Sequence, residues 1–238
     1  MDAVMPLALE PLPLAPLPLE PMCDLDRTYT PCEFRVKQAV HGWEQRDARA
    51  LRRAVFCVEQ GVFVGDDLDA IDGLPPADTQ TLVAMTCLAG QPDQVVGTVR
   101  IHRQAHAAGD FAQPWAADGS ASGSADTADN TSADNALDTS PVWWGSRLAV
   151  HPSFRSFGRI GATLIRLAVC SAHAQGAAVF LAHVQSQNVP MFERLHWHSL
   201  RPELLHGRPH HLMRADLAAY PPCARPWDGF VTQARSGR

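Results

Sequence analysis

The chain has 238 residues, 46% of them apolar and 19% charged, and carries a formal charge of −5. These values exclude a collagen, a coiled coil and a fully disordered chain, and no stretch offers the ~18 uninterrupted apolar residues of a membrane helix. They leave the expectation of a soluble globular protein with one sizeable core.

The charge is unevenly placed. Residues 1–26 carry five acids and residues 104–140 six, neither stretch with a Lys or Arg, and setting those eleven aside leaves the rest at +6. Of the 20 basic residues only Lys37 is a lysine, a bias that suits fixed recognition of phosphate or carboxylate. A GC-rich genome produces the same bias.

Residues 1–26 hold prolines at 6, 11, 13, 16, 18 and 21. A helix cannot pass through that spacing, so the segment reads as a disordered, Pro-rich arm, and it lacks the basic start of a secretory signal. The six cysteines form no C-x-x-C pair, which points to reduced thiols and a cytoplasmic protein. A single domain is expected over 27–222, with a flexible tail at 223–238.

Within the domain, Phe34 and Val36 alternate with Arg35 and Lys37 as in a half-buried strand. Ala48, Leu51, Val55 and Val58 then share one helical face, with Gly61 as a stop. Strands Thr81–Leu88 and Gln94–His102 follow, joined as a hairpin through Gly90, Pro92 and Asp93. The Ala/Asp/Ser-rich stretch 104–140 reads as a disordered insertion. Val142–Val150 is a strand, about 161–175 a helix, Val179–Val184 a strand and Met191–Leu195 a short helix. Two more strands flank Gly207–Pro209 up to about Leu217. The order predicts an α/β (α+β) fold in which helices flank a mixed, mostly antiparallel central sheet.

Leu148-Ala149-Val150 leads through Pro152 into Arg155-Ser156-Phe157-Gly158-Arg159-Ile160-Gly161 and then the helix. A helix N-terminus after a Gly-bearing turn gathers unpaired N–H groups and positive dipole at one point, which suits a phosphate, and the two arginines add charge-assisted donors. A strand–turn–helix connection with surface arginines and no ligand is the plain alternative. Neither a Gly-Lys-Ser/Thr loop nor a Gly-x-Gly-x-x-Gly fingerprint is present.

The stretch resembles the pyrophosphate loop of the GNAT acyltransferase superfamily, Arg/Gln-x-x-Gly-x-Gly/Ala, with Ile160 at the sixth position and Gly161 one residue later. Asn188-Val-Pro-Met-Phe192 is similar to the superfamily's Asn-x-x-x-x-Tyr segment, with Phe192 at the tyrosine. Leu51-Arg-Arg-Ala-Val-Phe56-Cys-Val-Glu59-Gln60, the acids Asp66, Asp67, Asp69 and Asp72, and Gly207-Arg-Pro-His210 resemble the ElaA-like branch. Trp143-Trp144-Gly-Ser-Arg147 together with Gly207–Met213 resembles an acetyltransferase subfamily encoded beside nitrilase-type enzymes, and the Arg-x-x-Val-Phe segment followed by the acidic loop is similar to acyl-homoserine-lactone synthases. The resemblance implies an acyl-CoA-dependent N-acyltransferase in which a small amine attacks acetyl-CoA directly. Leu148–Val150 and 155–161 would hold the co-substrate together with Asn188 and Phe192.

Two groups are candidate bases. Glu59 ends an apolar helix, where partial burial would raise its pKa, and His210 is placed to face the cleft. His102 and His183 are weaker candidates of the same kind. No metal is expected, because adjacent His210 and His211 point to opposite faces of a strand. The acidic loop reads as solvated, or as an amine-attracting rim. Neither nucleic acid nor membrane is an expected partner; the chain is expected to act alone or as a homodimer. The alternatives in function are a non-catalytic acyl-CoA-binding module, suggested by Phe192, and an acyl-homoserine-lactone-synthase-like enzyme.

Overall fold

The alternation at Phe34 and Val36 forms β1 (Glu33–Gln38), with both side chains fully buried. In this computed structural model, which describes residues 33–88, 91–104, 141–155 and 159–233, β1 leads into α1 (Gly42–Arg53). The Glu44 carboxylate accepts hydrogen bonds from the N–H groups of Val40 (2.8 Å) and His41 (3.0 Å), closing the first turn. Its other oxygen lies 2.6 Å from Lys37 Nζ, so the chain's one lysine is buried in an ion pair.

Ala48 and Leu51 of α1, with Val55 just beyond it, pack on Val83, Met85 and Ala149. From Ala54 to Glu59 the helix widens into a π-helical turn. The extra residue rotates everything after it. Val58, which its spacing puts on the buried face, is therefore 80% exposed, and Phe56 turns inward instead.

The predicted hairpin is present as β2 (Thr79–Leu88) and β3 (Gln91–Arg103). It is followed by β4 (Val142–Val150), α2 (Ile160–Ala174), β5 (Val179–Gln185), α3 (Val189–Glu193), β6 (Trp197–Leu205), β7 (Arg208–Ala215) and β8 (Phe230–Gln233). His206 (φ 50°) and Gly207 (φ 69°) form the two-residue turn between β6 and β7, with the left-handed pair of angles that matches strand twist. One sheet of order β6-β7-β5-β4-β3-β2-β1-β8 results, antiparallel except at β4–β5, where α2 supplies the crossover.

Because side chains alternate across a strand, the sheet has two apolar faces. Val83 and Met85 meet α1, while Leu82 and Ala84 belong to a larger core with Phe34, Ile101, Phe180 and the Ile160, Leu164, Ile165 and Ala168 stripe of α2. The first turn of α2 comes so close to β3 that a Cβ on Gly97 would lie 2.8 Å from Ile160 Cγ2 and 2.9 Å from Leu164 Cδ1.

Part of the expected flexible tail at 223–238 is ordered: β8 pairs with β1 from Glu33↔Gln233 to Val36↔Phe230. Gln38 N–H donates to Pro226 O (2.8 Å) just before it. Without β8 the outer edge of β1 would present unpaired backbone groups, and a short strand carries too weak a pattern to reveal this. The Pro-rich arm and residues 105–140 of the predicted insertion lie outside the described residues. No helix among the described residues is long and apolar enough to cross a membrane.

Replacing Gly97 with Val should push the start of α2 off the sheet. The expected loss is about 1–3 kcal/mol of stability, measured as a lower urea midpoint.

Candidate active site

The parallel ladder between β4 and β5 runs from Val142↔Val179 to Gly145↔Ala182 and ends there. Past this point β4 keeps only β3 as a neighbour, and it bulges, because Arg147 and Leu148 lie between Thr98↔Ala149 and Arg100↔Ser146 while β3 offers only Val99. Arg147 adopts φ 55° to make the bulge. Such a bulge leaves its extra residue out of the ladder. Ser146, Arg147 and Leu148 line a cavity of about 800 Å3 that occupies the parting of the two strands.

The cavity draws its lining from both faces of the sheet. On the α1 side it is bounded by Phe56, Phe63, His102, Trp144, His183 and His210, and on the α2 side by Ile165, Ala168, Phe180, Phe192 and Trp197. The segment after α1 closes the front: Gln185 Nε2 donates to Gln60 Oε1 (3.2 Å), Arg208 donates to the Gln60 carbonyl, and Phe63 meets His206 edge-on at 5.0 Å.

The acidic loop is not a solvated rim. Arg52, 2% exposed, donates from Nε to Asp67 (2.8 Å) and from Nη1 to Asp72 (2.6 Å). Arg100, equally buried, donates from Nη1 to Asp69 (2.6 Å) and Asp72 (2.7 Å) and from Nε to Ser146 Oγ (3.0 Å). Arg147 reaches Asp67 and Asp69 at 3.1 Å and lies over the Phe63 ring at 4.3 Å. Asp66 turns back instead and accepts from the N–H groups of Asp67 and Leu68. Burial alone would raise the Asp72 pKa; the hydrogen bond from Arg52 and the charges of Arg100 and Arg52 overrule it and hold the carboxyl far below the usual range.

The sequence alone did not reveal this network. Its signal was Arg100 inside the apolar run Val95–Ile101, since a charge buried in a strand needs a counter-charge.

Leu148, Asn188, Phe192 and His210 all line the cavity. Arg155 and Arg159 sit before α2, while Ser156, Phe157 and Gly158 lie outside the described residues. Gly161 leaves open space, its nearest neighbour to a built Cβ being Val150 Cγ2 at 3.9 Å. Two side chains expected at the co-substrate face the interior instead: Ile160, 1% exposed, packs under α2, and Ala149, 2% exposed, packs under α1. Only their backbone groups remain available to a ligand. Val150 packs against the α2-side core, partly buried.

Glu59 differs from expectation in a way that matters for its chemistry. Its carboxylate is about a third exposed and takes both ends of the Arg155 guanidinium, at 2.7 and 2.6 Å. The hydrogen bond from Arg155 holds its pKa below the ordinary glutamate value, against a smaller effect of burial. The π-turn swings this residue outward, so it is poorly suited to accept a proton.

Besides His206, three imidazoles face the front of the cavity. His210 Nδ1 lies 2.9 Å from the Arg208 carbonyl. A carbonyl only accepts, so Nδ1 carries a proton, and in the neutral imidazole Nε2 is then the acceptor. His183 Nε2 lies 3.0 Å from Glu203 and its ring lies 5.1 Å from that of Trp144; burial, aided by His210, pulls its pKa down against the pull of Glu203. His102 has no partner at Nδ1, and burial, helped by the charge of Arg100, pushes it down to about 4.

No family model matches the chain, and no curated protein matches it in sequence. The solved structures do supply matches. FeeM, an N-acyl amino acid synthase from uncultured soil microbes, aligns with TM-score 0.54 and 11% identity over 79% of this chain and 94% of that one. TofI, solved in a ternary complex with an inhibitor and MTA, aligns with TM-score 0.51 and 18% identity over 78% and 95%. Escherichia coli ElaA gives TM-score 0.49 and 18% identity over 78% and 99%. At these identities the likeness to FeeM and TofI is one of fold, a GNAT-type mixed sheet flanked by helices.

Two outcomes are expected. Arg100→Met leaves Asp69 and Asp72 short of counter-charge in a desolvated network and should cost about 3 kcal/mol in chemical denaturation. Neutral His102 makes stability depend on acid: between pH 6.5 and 4 the unfolded chain binds a proton that the folded chain does not. Stability should therefore be full above pH ~6.5 and fall by up to ~3 kcal/mol as the pH drops through that window. Urea titrations of wild type and His102→Leu should show the slope flattened in the variant.

Proposed function

We propose that the protein is an acyl-CoA-dependent N-acyltransferase that acts on the amine of a small molecule. The observation that carries this reading is the parting of β4 from β5 beyond Gly145↔Ala182 around a cavity, with β4 leading through two arginines into the N-terminus of α2. The diphosphate belongs at the start of α2, where Arg155, Arg159 and the N–H groups of Ile160 and Gly161 supply positive charge. The pantetheine arm belongs in the slot beside Leu148–Val150, with Asn188 and Phe192 on the opposite wall. Acetyl-CoA is the donor implied by the family resemblance, and a cytoplasmic location would supply it.

Direct transfer needs a neutral amine, donors for the tetrahedral oxyanion and a leaving thiolate. The front of the cavity offers the first through His210 Nε2, which takes a proton from the bound ammonium. The Asp69 carboxylate, 33% exposed, gives that ammonium a counter-charge. The bulge at Arg147 and Leu148 offers backbone N–H groups where the carbonyl oxygen becomes negative. Phe192 has no proton to give, but a thiol with a pKa of roughly 8.5 leaves readily and takes its proton from water.

The same Phe192 favours one other reading, a module that binds acyl-CoA without turnover. Thiol release from acyl-CoA across a panel of small amines separates the two. Amine-dependent release is expected, with His210→Ala lowering kcat about 100-fold or more while CoA affinity is unchanged. CoA binding without release for any amine would favour the module.

A further inference from the structure

His183 and Glu203 belong to β5 and β6, which β7 separates in the sheet. Their side chains nevertheless meet across β7, with Glu203 Oε2 3.0 Å from His183 Nε2. Two acceptors do not settle at that distance, so Nε2 carries a proton and Nδ1 is the acceptor of the neutral ring. Arg201 Nε donates to the other Glu203 oxygen (2.8 Å), which fixes the carboxylate. From β4 the Trp144 ring packs on the imidazole at 5.1 Å, tilted by 37°, and its Nε1 donates to Gln104 Oε1 (3.1 Å).

β7 places His210 beside this pair. His210 stands opposite Glu203 on β6 and opposite Gln185 on β5, two residues from His183. Cross-strand partners share a face of the sheet, as do residues two apart on one strand, so both imidazoles lie on one face, and both line the cavity. The charges that act on His183 are those of Glu203 and Arg201 on β6 and His210 on β7. Burial, aided by His210, holds its pKa below the ordinary histidine value. The ring is therefore neutral at pH 7, with a carboxylate in place to stabilise the imidazolium once a proton arrives.

Transfer to a bound ammonium releases two protons. The first leaves before attack. The second leaves the nitrogen after it has bonded to the acyl carbon, when it is more acidic and a weaker base suffices. We infer that His183, backed by Glu203, is a second proton acceptor that takes this later proton, while His210 takes the first. The inference rests on the acyltransferase reading above. In balance, the nitrogen–carbon bond forms, the carbon–sulfur bond breaks, the two protons pass through His210 and His183 to solvent, and the thiolate takes a proton from water. Glu203 is a positioning residue, which sets the tautomer of His183 and steadies its charge.

The test is the pH dependence of kcat for the full chain with acetyl-CoA and an amine from the panel, between about pH 4.5 and 7.5, with folding checked by circular dichroism at each point. If two neutral bases are needed, log kcat falls as the pH drops with a slope that steepens from one toward two. His183→Gln, whose amide still donates toward Glu203, should lower kcat about 100-fold, leave CoA affinity unchanged and hold the slope at one. Glu203→Gln removes a charge that raises the His183 pKa, so the steeper limb should move to lower pH; a merely structural contact would move neither slope nor limb. Should His183→Gln fail to fold, the wild-type slope and Glu203→Gln decide. A wild-type slope of one, or a His183→Gln variant as active as wild type, would overturn the second acceptor and leave the acyltransferase reading standing. Bound CoA with no turnover of any amine would overturn both.

Discussion

The structure depends on two strands that pair and then stop pairing. Sheet strands normally stay together because each backbone N–H and C=O needs a partner. The β4–β5 ladder ends after four residue pairs, while each strand keeps its other neighbour, β3 or β7. Small residues at the last pair let the aromatic side chains approach, the bulge in β4 releases backbone toward the gap, and α2 spans the crossover with its N-terminus beyond β4.

The front wall is held by charge rather than by packing. Arg52 from α1, Arg100 from β3 and Arg147 from β4 share Asp67, Asp69 and Asp72 on one loop, so a segment with little regular structure is fixed to three elements. Networks of this kind add little net stability, because desolvation offsets attraction. Their geometry is demanding, though, since each carboxylate must face a guanidinium. In this chain they set the loop's position over the cavity, and Asp69, the most exposed of the three, is the carboxylate left near the acceptor side.

Much of this was legible in the sequence. Periodicity placed β1, the β2–β3 hairpin, α2 and β5 within a few residues, and the Gly-bearing turn with its arginines marked the strand–helix junction at Arg155–Gly161. What escaped depended on long-range pairing. β8 is four residues long and exists because β1 needs a neighbour. The π-turn after Arg53 carries no pattern, yet it moves Val58 out, Phe56 in and Glu59 onto Arg155. The acidic loop looked like a solvated surface because its counter-charges are 15 to 80 residues away in sequence. Ile160 occupied a loop position in the motif but belongs to the buried stripe of the helix that follows.

The buried Lys37–Glu44 pair has a consequence beyond the first turn of α1. Lysine amines are the side chains that thioesters acylate, whereas a guanidinium stays protonated and unreactive at neutral pH. This chain has a single lysine in all 238 residues, and its amine is only 5% exposed and bonded to a carboxylate. On the proposed function, the chain's one lysine side chain would lie out of easy reach of the acyl donor.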